Sequence, residues 1–158
     1  MPVNEREASV SEEENKAIQR RLVDEIFNRH DPDAVERFFA PDYVEHAPFP
    51  GQRPGLEGLK QLLAEAFFPA FPDQHWTVEE QIAEGDKVLT RLTWRGTHRG
   101  EFLGIPPTNE RVEVWGMAFD RMADGKVVES RIILDNMGML QQMGVMPPPE
   151  QSEQASPT

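Results

Sequence analysis

Partway along this chain the spacing of apolar residues changes from helical to alternating, and that switch limits the architectures open to it. Ile18, Leu22 and Ile26, with Val23 and Phe27, put one apolar face on a helix from Asn15 to about Asn28. His30-Asp31-Pro32-Asp33 ends it. Asp31 or Asp33 is placed to cap a short second helix carrying Val35, Phe38 and Phe39. Tyr43 to His46 reads as a short extended piece, followed by a Pro/Gly-rich loop, Pro48 to Pro54. A third helix runs from about Leu56 to Phe68, with Leu59, Leu62, Leu63, Ala66 and Phe67 inward, and Pro69 and Pro72 stop it.

Beyond that point the period is two. Trp76, Val78, Glu80 and Ile82 mostly alternate with polar residues, and Glu84-Gly85-Asp86 makes a tight turn. Lys87–Thr97 and Arg111–Met122 are strands. Ala123-Asp124-Gly125 is a hairpin turn in which Asp-Gly supplies the positive-φ positions. Val127–Leu134 is the last long strand, and Asn136–Met143 closes with a helical turn. Helices first and hairpin-linked strands second define an α+β fold with an antiparallel sheet covered on one face. A strongly bent sheet closing over helices is a cone, and a cone has a cavity.

The bulk numbers remove several function classes. A chain of 158 residues is one domain by default. Residues 1–14 are acidic and aperiodic and read as a flexible tail; 15–146 form the folded body; 147–158 read as a Pro-rich tail. The absence of cysteine excludes thiolate zinc sites, iron–sulfur clusters, thiol catalysis and disulfides, and it fits a reducing, cytoplasmic setting. No apolar run resembles a signal peptide or a membrane span. A net charge of −12 repels nucleic-acid backbones and anionic membranes, so neither is expected as a partner.

Chemistry-bearing residues gather in three places. The segment Gly96 to Pro107 sets His98 and Glu101 beside Phe102, Leu103 and Ile105, and reads as the lip of a pocket. Leu92, Trp94, Gly96 and His98 share the interior face of their strand, while Lys87, Leu89, Arg91, Thr93 and Arg95 take the other. His98 at the end of that row can exchange protons near neutral pH; its structural alternative is to hold the shape of the lip. Asp135 follows Ile132-Ile133-Leu134, where an apolar setting raises a carboxyl pKa and suits an acid or base; alternatively it caps the turn after it through the amides of Met137 and Gly138. Tyr43 and Glu45 share a face before the proline-rich loop, with His46 opposite. No pair of histidines has metal-ligand spacing, and Gly96-Thr-His-Arg-Gly is not a nucleotide cradle, so no metal or cofactor is expected. Met137, Met139, Met143 and Met146 read as cover for a core edge.

The strings Tyr-Val-Glu-His-Ala-Pro (43–48), Phe-Pro-Asp (71–73), Ile-Ala-Glu-Gly-Asp-Lys-Val (82–88), Gly-Thr-His-Arg-Gly-Glu-Phe-Leu-Gly-Ile-Pro-Pro-Thr (96–108), Asp-Gly-Lys-Val-Val-Glu (124–129) and Asp135 with Gly-Met-Leu-Gln-Gln-Met-Gly (138–144) together resemble the SnoaL-like polyketide cyclase, or ester cyclase, family. The resemblance implies a cone-shaped α+β barrel, a homodimer formed through the sheet face, and a hydrophobic small-molecule pocket. It also implies ring closure of a polyketide by intramolecular aldol condensation without a metal. On it, Asp135 is the expected acid/base, and His46 and His98 match recurrent family histidines. The departure lies at Glu129-Ser130-Arg131-Ile132, where relatives often carry Glu-His-Trp; Ser130 and Ile132 take the pocket-facing row and one imidazole is missing.

Two readings follow. In the first, the chain is a cyclase or isomerase for a small apolar carbonyl compound: Asp135 removes the acidic C–H proton, and His98, or His46 with Tyr43, hydrogen-bonds the enolate oxygen. In the second, the same pocket holds an apolar ligand without turning it over. Tyr43, Trp94, Trp115, Phe119, Glu129 and Ile132 are the expected ligand contacts in either case. Epoxide hydrolysis is disfavoured, because the positions matching the limonene epoxide hydrolases fall near Leu92, Trp94 and Ile132, none of which ionises.

Overall fold

The computed structural model describes residues 5–147, so residues 1–4 and 148–158 of the expected tails lie outside the described residues. Helix α1 spans Glu5–Leu22 and runs on as a π-helical turn, Val23–Asn28. Its start lies ahead of the Asn15 expected from apolar spacing. The spacing detects only the packed stretch, whereas the Glu, Arg and Ala residues ahead of it favour helix without an apolar stripe in the sequence. The Glu12 carboxylate is drawn into this extension, accepting from the Gly85 amide at 3.0 Å. His30 takes a left-handed φ of 54° and ends the segment. Asp31 then caps the next turn by accepting from the Asp33 amide at 3.1 Å. Helix α2, Val35–Phe38, buries Val35 and Phe38.

Strand β1 is Phe39–Glu45. Helix α3, Gly55–Gln61, continues through a second π turn, Leu62–Phe67, into α4, Phe68–Ala70. Strands β2 (His75–Glu84), β3 (Lys87–Thr97), β4 (Arg111–Ala123) and β5 (Lys126–Leu134) follow, and α5, Asn136–Gln142, closes the body. β3, β4 and β5 fall within a residue of their expected limits because their turns carry Gly85 and Gly125 at positive φ, while β2 runs two residues past the expected Ile82.

The sheet has five strands in the order β1-β5-β4-β3-β2. β1 pairs with β5 in parallel, and the other pairs are antiparallel. Register shifts in β1, between Val78 and Glu80, and between Arg121 and Met122 bend the sheet around the helices. The shift in β2 also explains Ile82, which is exposed although Trp76, six positions earlier in the same strand, is buried. β1 and β2 remain edges, so the cone stays open. Part of the β2 edge is covered by Asn28, whose side chain accepts from the Trp76 amide at 2.8 Å and donates to its carbonyl at 3.0 Å.

The core lies between the helices and the inner sheet face. Phe67, Phe71, Trp94 and Phe102 form its aromatic centre, with ring centroids 4.7–5.9 Å apart. Gln74 supplies the one polar hub this centre needs. Its Nε2 donates to the carbonyls of Phe67 and Phe71, and its Oε1 accepts from the indoles of Trp76 and Trp94. No helix among the described residues is long and apolar enough to cross a membrane.

Candidate functional site

Between the helices and the inner face of the sheet lies a cavity of about 60 Å³. The two π turns help shape it: Val23 and Phe27 come from one, Leu62, Leu63 and Phe67 from the other. A π turn inserts an extra residue into a helix and re-aims the side chains around it, which is why such turns recur at binding sites. β1 contributes Phe39, Tyr43 and Glu45, the following loop Phe49 and Gln52, and the strands Trp76, Thr90, Leu92, Ala118, Asp120, Ser130 and Ile132. Gln19 and Leu22 of α1 and Leu59 of α3 complete the lining. The lining holds two carboxylates and no lysine, arginine or histidine.

The polar groups are concentrated where three strands meet. Glu45 of β1 is in register with Ser130 of β5, and Ser130 with Asp120 of β4. All three point into the cavity. Asp120 is buried, with 3% of its surface exposed. Loss of water pushes its carboxyl up to about 7; the Ser130 hydroxyl, hydrogen-bonded to it, opposes that rise, and the Glu45 charge adds to it. Glu45 is immobilised: Oε2 accepts from the Tyr43 hydroxyl at 2.8 Å, and Oε1 from the amides of Ala47 and Ile132 at 3.0 and 3.2 Å. Burial and the Glu45 charge keep the Tyr43 hydroxyl protonated well beyond its usual range. On β3 the Thr90 oxygen accepts from Gln81 at 3.3 Å, which leaves the Thr90 proton able to point at a ligand.

Of the residues expected at the site, Tyr43 and Ile132 line the cavity; the others stand elsewhere. Asp135 is the N-cap of α5 and accepts from the Gly138 amide at 2.9 Å. His98 is fully buried, but in the lip. Its Nδ1 lies 3.1 Å from the Thr108 hydroxyl and accepts from the Thr108 amide at 3.2 Å, and its ring packs on Phe71. Burial holds the imidazole below the ordinary histidine range, the Gly100 backbone opposing, and Glu101, on the exposed side of the lip, is not among its partners.

His46 lies on the outer side, 3.5 Å from Glu129, whose other oxygen accepts from Arg121 at 2.7 Å. That Arg121 bond holds the Glu129 carboxyl below the usual carboxylate range. Trp94 belongs to the packed centre rather than the lining. Trp115 and Phe119 face outward, 50% and 41% exposed, because they share a row with Arg111, Glu113 and Arg121. The lip itself does not border the cavity. It docks on the end of α4 through the Arg99 and Gly100 amides on the Ala70 carbonyl, and its Phe102 packs behind Phe49 and Phe67. A side chain at Gly100 would meet the Pro69 carbonyl at 2.6 Å, so this close approach requires glycine.

Asp120 is the residue the sequence reading missed. Its signal was a lone carboxylate in the row Val112, Val114, Gly116, Ala118, Asp120, Met122, opposite a row carrying the charges and exposed aromatics.

An open, bent five-stranded sheet wrapped around helices defines a cone-fold α+β protein. The SnoaL-like polyketide cyclase description matches residues 17–143, and the chain belongs to that family. Nogalonic acid methyl ester cyclase of Streptomyces nogalater is 31% identical to it over 120 residues, covering 75% of this chain and 89% of that protein. Aklanonic acid methyl ester cyclase DnrD of Streptomyces peucetius is 26% identical over 132 residues, with 80% and 88% covered. The crystal structure of wild-type IdmH from Streptomyces antibioticus superposes with a TM-score of 0.69 at 35% identity, covering 83% of this chain and 99% of that one.

Proposed function

We propose that this chain closes a ring on a neutral, hydrophobic polyketide-type carbonyl compound, with Asp120 as the group that takes and returns the proton. The observation that carries this reading is the Asp120 carboxyl. It is buried, faces the hollow, and is pushed up to about 7, so both of its protonation states are available near neutral pH. As carboxylate it removes a proton from carbon next to a carbonyl. The resulting enolate carbon attacks a second carbonyl of the same molecule and forms the C–C bond, and Asp120 returns its proton to the oxygen that becomes the hydroxyl. No electrons are gained or lost overall. Thr90 is the hydroxyl available to hydrogen-bond a developing oxyanion, since the Tyr43 hydroxyl already donates to Glu45.

A lining with two carboxylates and no cation favours an uncharged ligand and opposes a free acid. Substrate size adds a second requirement. Ligand pockets commonly hold about 300–1,000 Å³, so a polycyclic substrate needs the hollow of about 60 Å³ to widen.

The relatives' names supply the first compounds to try, nogalonic and aklanonic acid methyl esters. With whichever ester turns over, Asp120→Asn should lower kcat by about 10²–10⁴-fold without loss of the folded state, while Asp135→Asn should retain turnover. Full activity in Asp120→Asn would remove Asp120 from the mechanism.

The outer sheet face supports a second proposal, a homodimer. Trp115, Phe119 and Ile133 are exposed together on neighbouring strands of that face. Sedimentation should give twice the chain mass, and Trp115→Asp should give the monomer; a monomeric wild type refutes it.

A further inference from the structure

Glu45 is the second carboxylate of the hollow, and the ring closure proposed above assigns it no step. Its hydrogen bonds fix its place. It accepts from the Tyr43 hydroxyl and from the amides of Ala47 and Ile132, so each of these partners is a donor. Two of those donors are backbone amides on different strands or their continuation, so the charge cannot swing away when the cavity fills. Its position is fixed by the ladder. Glu45, Ser130 and Asp120 stand side by side on β1, β5 and β4, so one residue separates the two carboxyl groups. Adjacent strands lie about 4.8 Å apart, so two spacings set the residues roughly 10 Å from each other, still within Coulombic reach in a cavity whose lining holds no cation.

We propose that Glu45 is a positioning residue for Asp120: its fixed negative charge, two strand spacings away across Ser130, sets the pH at which Asp120 takes up and releases its proton. The effect adds to that of burial, which alone already disfavours the charged form. The other groups facing Asp120 leave Glu45 as the charge that matters. Tyr43 on β1 stays neutral, α1 presents Gln19, β3 presents Val88 and Thr90, and β5 presents Ser130. Arg121 and Glu129 pair with each other on the outer face. The meaning of the inference for catalysis rests on the role proposed for Asp120, but its test needs no substrate.

The Asp120 carboxyl carbon is followed by ¹³C NMR from pH 4 to 9 in aspartate- and glutamate-labelled protein, its signal identified by its loss in Asp120→Asn. In Glu45→Gln the Asp120 midpoint should fall by roughly one pH unit, and in Glu45→Asp, which keeps the charge, it should fall by much less. An unchanged midpoint in Glu45→Gln, or equal falls in both variants, overturns the proposal. A measurement on the wild type guards against a variant that does not fold. The Glu45 carboxyl carbon should show a small inflection at the Asp120 midpoint, and the absence of that inflection overturns the proposal as well. Failure of the catalytic reading would show separately, as turnover retained in Asp120→Asn.

Discussion

At one end of the β3–β4 ladder His98 is sealed between Phe71 and the Thr108 turn; near the other, Asp120 is sealed beneath the helices. Both are titratable, both are almost free of solvent contact, and burial favours the neutral form of each. They differ in what they face. Around His98 the neighbouring polar groups pair with one another while its own Nε2 stays buried without a partner: Asp73 takes the Thr97 amide and hydroxyl, the His98 amide donates to the Glu110 carbonyl, and the Asn109 amide returns to the His98 carbonyl. Asp120 faces open space lined by Leu92, Ala118 and Ile132. A buried ionisable group with no void beside it holds a shape; one beside a void has room for a reacting atom.

Substitutions can break this contrast. The largest effect is the loss of turnover in Asp120→Asn already described, because it removes the proton carrier and leaves the fold. The next is thermodynamic. Asp120 goes from an ordinary 3.8 to about 7 on folding, so the native state binds the extra proton between those values. Its cost to stability is absent below about pH 4, grows as pH rises, and is complete above about pH 7, reaching on the order of 4 kcal/mol. Urea unfolding of wild type and Asp120→Asn should therefore diverge between pH 4.5 and 8, the variant gaining on the wild type as pH rises. Parallel curves would mean that Asp120 is ionised and solvated. His98 slopes the other way: its folded value is lowered, so its contribution is lost as pH falls through the ordinary histidine value. The smallest effect is at the lip, where His98→Ala should cost roughly 1–3 kcal/mol in the same urea experiment and leave the kcat of a turned-over ester near wild type. A kcat loss matching that of Asp120→Asn would erase the distinction between the two ends.

Much of the fold was legible in the chain because each turn had its own chemistry. Gly85 and Gly125 at positive φ fix the hairpins, and Asp31 with Pro32 starts the short second helix. The family resemblance was carried by similar strings. The site was harder to read. Asp135 and His98 sit in the most recognisable strings, yet capping and lip closure explain why those strings hold an aspartate and a histidine. Strand parity placed Ser130 and Ile132 inward correctly, but β4 has aromatic residues on one row and aliphatic ones on the other. Only the charges of Arg111, Glu113 and Arg121 decide between them, and following those charges would have led to Asp120. The π turns that bring Phe27 and Leu62 to the hollow leave no mark in a 3.6-residue pattern.

The parallel pairing of β1 with β5 has a consequence for how the protein comes into being. Glu45 receives the Ile132 amide from 87 residues further along. A nascent chain leaving the ribosome therefore carries Tyr43 and Glu45 with no sheet to dock on until the final hairpin has emerged. Contacts of such long sequence separation slow folding, and until they form the greasy helix faces stay uncovered. The pocket is completed by the last strand made, so truncation that reaches β5 strikes the cavity while α1 to α4 are still whole.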